Sequence, residues 1–119
     1  MDSILTSVKK MLGISKDCTD FDADIIMHIN TVFMILNQLG VGPSTYFTIE
    51  DDIPTWNDFI PDGQNLEMIK SYMYMKVRLL FDPPTNSSVL TSMEKTISEF
   101  EWRLNVQAET KTEENQNDD

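Results

Sequence analysis

Apolar residues recur along most of this chain with a helical period of 3.6 residues, and they divide it into four helix-length segments. The predicted helices span Asp2–Leu12, Asp22–Leu39, Asn65–Asp82 and Ser87–Val106. Gly13 and Gly40 end the first two, because glycine readily adopts the left-handed conformation found just after helix C-termini. The pattern therefore predicts an all-α fold, a small helical bundle.

The third and fourth predicted helices are separated by Pro83 and Pro84. Pro83 disfavours the α conformation at Asp82, and neither proline offers an N–H to a continuing helix. Three residues with side-chain oxygens suited to capping follow: Thr85, Asn86 and Ser87. We therefore expect a tight helical hairpin, in which the narrow apolar stripe of the last helix packs against the third helix.

The second predicted helix carries two apolar faces. The broader one should face the core and comprises Ile25, Ile26, Ile29, Val32, Phe33, Leu36 and Leu39. The narrower one, here called the methionine stripe, comprises Ala23, Met27 and Met34. A second stripe implies a second neighbour, which is either the N-terminal helix of the same chain or another subunit.

A long, partly extended aromatic connector joins the second and third predicted helices. Residues Thr45–Glu50 alternate like a short strand, but the chain offers no other strand to pair with them. The segment is therefore either held against the domain by its aromatic side chains or paired between subunits. The candidate subunit interface adds four connector residues to the methionine stripe: Tyr46, Phe47, Trp56 and Phe59.

The end of the last predicted helix carries an outward tryptophan. Trp102 and Val106 lie nearly opposite the core stripe, and with Arg103 they form the candidate docking site for a partner, since Trp is a frequent interface anchor. The alternative is that Trp102 folds back onto a neighbouring loop. Residues 109–119 contain no apolar side chain, so we expect a disordered acidic tail after a helical domain at 1–108.

Composition narrows the function classes. The formal net charge of -11 opposes a grip on nucleic-acid phosphates, which depends on Lys and Arg. The sequence contains no run of about 18 apolar residues, the length needed to span a bilayer. The single cysteine, Cys18, cannot form an internal disulfide. No catalytic constellation, metal motif or cofactor motif is found. Apolar faces beyond one core instead indicate an assembly component.

Six short motifs then bear on the family. They are Lys10–Ile14, Phe21–Asn30, Gly40–Pro43, Thr55–Phe59, Lys76–Pro84 and Glu99–Asn105. In this order and spacing they resemble the head-tail connector (head-completion adaptor) family of tailed bacteriophages, over roughly residues 3 to 108.

The resemblance implies a helical adaptor without enzymatic activity, of which about twelve copies form a ring beneath the portal protein. Such a ring extends the DNA channel and receives a stopper or tail-completion protein, while DNA passes through without specific binding. The implied location is the head-tail interface of the virion, and the host cytoplasm during assembly. The alternatives are an acidic phage-encoded inhibitor that mimics DNA and a regulatory helical protein.

Overall fold

The structure, a computed structural model, describes the backbone of residues 3–117 and the side chains of residues 3–110. Its helices are α1 (Ile4–Met11), α2 (Asp22–Gln38), α3 (Trp56–Phe59), α4 (Leu66–Phe81) and α5 (Ser87–Asn117). The described residues contain no strand, and their one isolated β-bridge joins Ser3 to Thr55. The all-α prediction is confirmed, while the predicted helix start at Asp2 lies outside the described residues.

Helix α4 is central, since it packs against α1, α2 and α5. The Phe21 ring at the start of α2 lies 5.6 Å from the Phe81 ring at the end of α4, so these two helices run antiparallel. The hairpin makes α5 antiparallel to α4, and Asn105 Nδ2 of α5 donates to the Leu39 carbonyl at the end of α2 (3.3 Å). Helices α2 and α5 therefore run in the same direction.

The core is formed by the apolar faces of these helices. Its buried members on α2, α4 and α5 are Ile25, Ile29, Val32, Phe33, Leu36, Ile69, Tyr72, Met73, Val77, Ile97 and Leu104. Removing such side chains from water is the main favourable term in folding. The stripe predicted for the last helix packs against α4 as expected, although Val89 at its start is 49% exposed.

Helix α5 begins as the capping chemistry predicts but ends later than expected. Asn86 Oδ1 accepts hydrogen bonds from the backbone N–H groups of Ser88 (2.9 Å) and Val89 (3.2 Å), so Asn86 is the N-cap. The helix then continues to Asn117 instead of ending near Val106. Residues 107–117 contain no Gly or Pro and are rich in Glu, Gln, Lys and Ala, which favour helix.

The expected disorder at 109–119 therefore differs from the structure, in which residues 109–117 are helical. Asp118 and Asp119 lie outside the described residues. Whether residues 109–119 form a tail separate from a domain at 1–108 does not depend on their being helical, and this division stays a prediction.

Lys9 holds the loop between α1 and α2, a role that the sequence analysis did not identify. Its side chain is only 3% exposed. The ammonium Nζ donates to the carbonyls of Lys16 (3.2 Å) and Cys18 (2.6 Å) and forms an ion pair with Asp22 Oδ1 (2.8 Å). A buried ammonium needs such partners, because leaving it unpaired would cost several kcal/mol. The loop is thus fixed to the end of α1, through Lys9, and to the start of α2, through Asp22.

Candidate assembly surfaces

The extended part of the connector is held by side chains of α2. Asn30 Nδ2 donates to the Ile49 carbonyl (2.9 Å), and the Ile49 N–H donates to Asn30 Oδ1 (2.8 Å). Asn37, two turns later on the same row of the helix, donates to the Pro43 carbonyl (3.2 Å). Of the two alternatives for this segment, the structure therefore supports attachment within the subunit.

Two of the four connector residues proposed for the subunit interface belong to the core. Trp56 and Phe59 are 3% and 2% exposed. Phe33 of α2 lies 4.6 Å from the Phe59 ring and 5.0 Å from the Phe47 ring, and Trp56 Nε1 donates to Ser7 Oγ (2.9 Å). Trp56 and Phe59 therefore cannot contact another copy in this conformation, and Phe47 is half-buried. Burial thus argues against an interface role for Trp56 and Phe59, which aromatic content alone does not reveal, while the interface assignment of the other residues stays a prediction.

A pair of glycines allows the connector and α5 to approach α2 closely. Gly42 has φ +90°, and a Cβ built there would lie 2.5 Å from Cε1 of Phe59. Gly40 has φ +86°, and its Cβ would lie 3.0 Å from the Cβ of Ala108. Both positions thus combine a left-handed backbone with no room for a side chain.

The methionine stripe is exposed. Met27 and Met34 are 57% and 44% exposed, and Ala23 is exposed as well. The alternative that α1 covers this stripe is therefore excluded. The stripe borders the helix row of Asn30, along which the connector runs, and Tyr46 of the connector is 63% exposed. Ala23, Met27, Met34 and Tyr46 are together called the lateral face.

The second exposed surface belongs to α5. Trp102 is 67% exposed and Val106 is 37% exposed, so Trp102 does not fold back onto a loop. Arg103 is paired within the helix, where its Nη2 and Nε lie 2.7 and 3.1 Å from Glu99 Oε1. Trp102, Arg103 and Val106 are called the α5 outer face. The structure brings these three predicted docking residues together, but it does not bring them next to the methionine stripe of the same subunit.

An open groove of about 590 Å³ lies at the end of the bundle where α2 ends. Its apolar lining comprises Val41, Pro43, Phe59, Ile60, Pro61, Ile69, Leu104 and Ala108. Across one side, the Asn65 side-chain amide donates to the Gln107 side-chain oxygen. The sequence analysis did not identify this groove, because its walls come from segments far apart in the chain.

The polar groups inside the bundle are structural. Tyr72 is fully buried, and its hydroxyl donates to Glu101 Oε2 (2.6 Å), which also lies 3.7 Å from Lys76 Nζ. Burial first, and then the bond to Glu101, raise the pKa of Tyr72 well above its ordinary value. Among the described residues, no group of three His, Cys, Asp or Glu side chains could hold a metal ion, and no helix is long and apolar enough to cross a membrane.

Comparison with known proteins gives one clear relationship. A family model described as phage connector protein matches residues 4–111, which is most of the chain. No curated protein and no solved structure matches the chain. A helical body with exposed apolar faces beyond its own core is consistent with the family match, and we conclude that the chain belongs to the phage connector protein family.

Proposed function

We propose that this protein forms a ring of about twelve copies beneath the portal, extends the DNA channel and provides the docking surface for the stopper or tail. Membership of the phage connector protein family supports a structural role in the virion. The observation that carries the ring is the lateral face, whose Met27, Met34 and Tyr46 are 44 to 63% exposed although a complete core exists without them.

A cyclic ring requires each subunit to present two unlike faces that meet head to tail. Apolar surface left outside the core supplies the hydrophobic part of such a contact. The lateral face contains few large residues, so each contact is modest in energy. We therefore expect the isolated protein to be largely monomeric and the portal to act as the template on which the ring closes.

The charge of the protein suits a channel through which DNA moves. With a formal net charge of -11, the ring would repel phosphates, so DNA could slide without specific binding. Exposed acids crowd the connector at Glu50, Asp51 and Asp52. Their position in a loop, instead of along one helix face, favours a connector over an inhibitor that imitates DNA. No cofactor or enzymatic activity is expected, in keeping with the structural role of the family.

The ring also needs axial surfaces for the portal on one side and the stopper or tail-completion protein on the other. Helix α5 continues to Asn117, beyond Ala108, which lies against Gly40 of the body, and this end of the helix is proposed as one such surface. The candidate docking residues Trp102, Arg103 and Val106 lie on the side of α5 and not at its tip. The tip and the side can therefore serve different partners.

Native mass spectrometry of the protein, alone and with the portal protein of the same genome, tests the ring directly. Met27→Lys combined with Met34→Lys should abolish rings on the portal and infectious particles, since it places two charges in an apolar contact. Ser71→Lys combined with Thr85→Lys adds the same charge at exposed positions away from α2 and should leave the rings intact. Full portal occupancy by the methionine variant would show that the stripe is not the interface.

A further inference from the structure

We infer that the α5 outer face of one copy contacts the lateral face of the next copy in the ring, with Trp102 packed against Met34. The inference depends on the proposed ring. In that ring each contact joins two different faces, and the α5 outer face is assigned as the partner of the lateral face. It assigns the side of α5 to a second copy of this chain, whereas the sequence analysis assigned it to another partner.

The two faces point to different sides of the subunit. Helix α4 packs against both α2 and α5. The methionine stripe lies on the surface of α2 that is turned away from this shared core, and Trp102 lies nearly opposite the buried Leu104 of α5. One subunit therefore offers two exposed apolar surfaces that cannot meet each other but can meet their counterparts on neighbouring copies.

Helix direction is compatible with ring symmetry. Helices α2 and α5 run in the same direction, as the contacts at both ends of the bundle require. Rotation about a ring axis preserves the direction of any helix component along that axis. If the long helices follow the axis, α5 of one copy meets α2 of the next in a parallel arrangement. The ring symmetry thus makes α5 of one copy and α2 of the next parallel without any further change in either subunit.

Trp102 and Met34 also lie at similar heights along the bundle, as the proposed contact requires. Asn105 bonds to Leu39, and Ala108 lies against Gly40. A residue of α5 therefore lies at the same height along the bundle as the residue of α2 whose number is lower by 66 to 68. A closed ring has no axial rise between neighbours, so residues at equal height meet. Trp102 is then level with residues 34–36, which include Met34. By the same offset, Lys95 is level with residues 27–29, which include Met27.

The side chains that would meet, Trp102 with Met34 and Lys95 with Met27, are chemically compatible. A thioether beside an aromatic ring gains more than an aliphatic contact of the same size, and methionine adapts its shape to a large partner. The alkyl stem of Lys95 can cover Met27 while its ammonium stays in water. The Arg103–Glu99 pair beside Trp102 is 52% and 55% exposed, which is suitable for a polar rim around a buried tryptophan.

A charge-swap experiment tests the contact in rings of the full-length protein, with the portal protein present if wild-type rings require it. Trp102→Lys and Met34→Glu should each raise the protein concentration needed for half-maximal ring formation by at least about tenfold. The double variant should recover a large part of this loss, because the two charges would face each other. Val89→Lys provides the control, since Val89 is 49% exposed on α5 but lies away from the Trp102 row.

Each outcome has a distinct meaning. Recovery in the double variant, with normal rings for Val89→Lys, supports the contact. Rings that form normally with Trp102→Lys, or a double variant no better than either single one, would overturn this inference while leaving the ring intact. Normal Trp102→Lys rings that fail to join the next component would return Trp102 to docking between rings. Absence of wild-type rings both alone and on the portal would overturn the proposed function itself.

Discussion

The side-chain amide of Asn30 donates to and accepts from the backbone of Ile49, at 2.9 and 2.8 Å. A neighbouring strand would supply the same pair of hydrogen bonds. Ile49 itself is 2% exposed, so its backbone groups need partners other than bulk water. One residue on a helix thereby allows an extended segment to exist in a protein whose described part has no sheet.

Asn30→Ala should lower the free energy of unfolding by about 1–3 kcal/mol, because a buried N–H and a buried carbonyl lose their partners. Asn37→Ala is the matched control, since it removes one exposed bond to Pro43 and should cost less than about 1 kcal/mol. Urea unfolding followed by circular dichroism measures both values. Equal effects of the two substitutions would contradict the role assigned to Asn30.

Tyr72 should make stability fall at alkaline pH. Its pKa in the folded state is raised, chiefly by burial, above the value of about 10 in an unfolded chain. Below pH 10 both states keep the proton and the pKa difference has no effect. Above pH 10 the unfolded chain ionises while the folded state keeps its proton, so the free energy of unfolding decreases with pH.

Urea unfolding from pH 8 to pH 11 can measure this effect in the wild type and in Tyr72→Phe. The Phe variant should start less stable, because Glu101 loses a hydrogen bond, but it should lose less stability above pH 10. Lysines titrate in the same range in both proteins and cancel in the comparison. Identical slopes for the two proteins would rule out this contribution from Tyr72.

Helix α2 was predicted at Asp22–Leu39 and found at Asp22–Gln38, and α4 was predicted at Asn65–Asp82 and found at Leu66–Phe81. These limits are readable from sequence because a glycine or a proline close to the helix end acts locally. The end of α5 had no such signal, and the absence of apolar residues beyond residue 108 was taken for disorder although helix propensity remained high.

The candidate site was only partly predictable. Helical periodicity placed Met27, Met34 and Trp102 away from the core, but only the structure shows that neither α1 nor a loop covers them. Burial of Trp56 depends on Ser7, 49 residues earlier in the chain, and on packing against Phe33. A single sequence does not reveal such contacts between distant segments.

Substitution of Gly42, in the turn after α2, should cost more stability than substitution of Gly13. Gly42→Ala and Gly13→Ala both place a side chain at positive φ, +90° and +80°. Only at Gly42 does the new Cβ meet another group, the Phe59 ring, whereas nothing lies within 4 Å at Gly13. Gly13→Ala should cost about 1 kcal/mol, and Gly42→Ala should cost about 1–3 kcal/mol more because Phe59 must move. Thermal unfolding of both variants checks the difference, and equal losses would argue against a close contact.

For the molecule as a whole, the contacts of described α5 side chains with the body lie at or before Ala108 and include the buried Ile97 and Leu104. Deleting residues 109–119 should therefore change the free energy of unfolding by less than about 0.5 kcal/mol. Circular dichroism should show a loss of helix no larger than the deleted residues account for, if the division at residue 108 is correct. A large loss of stability would mean that the segment belongs to the folded body.

The central position of α4 also determines when this protein can fold during its synthesis. Helices α1 and α2 leave the ribosome first, but much of the surface that covers their apolar faces belongs to the 16 residues of α4, which come later in the chain. Helix α4 ends at Phe81, 43 residues after the end of α2 at Gln38, and at about 5–20 residues per second these residues take roughly 2–9 s to be added. During that interval the N-terminal half exposes its core, so a nascent chain stalled before Phe81 has emerged should bind chaperones and be degraded rapidly by proteases.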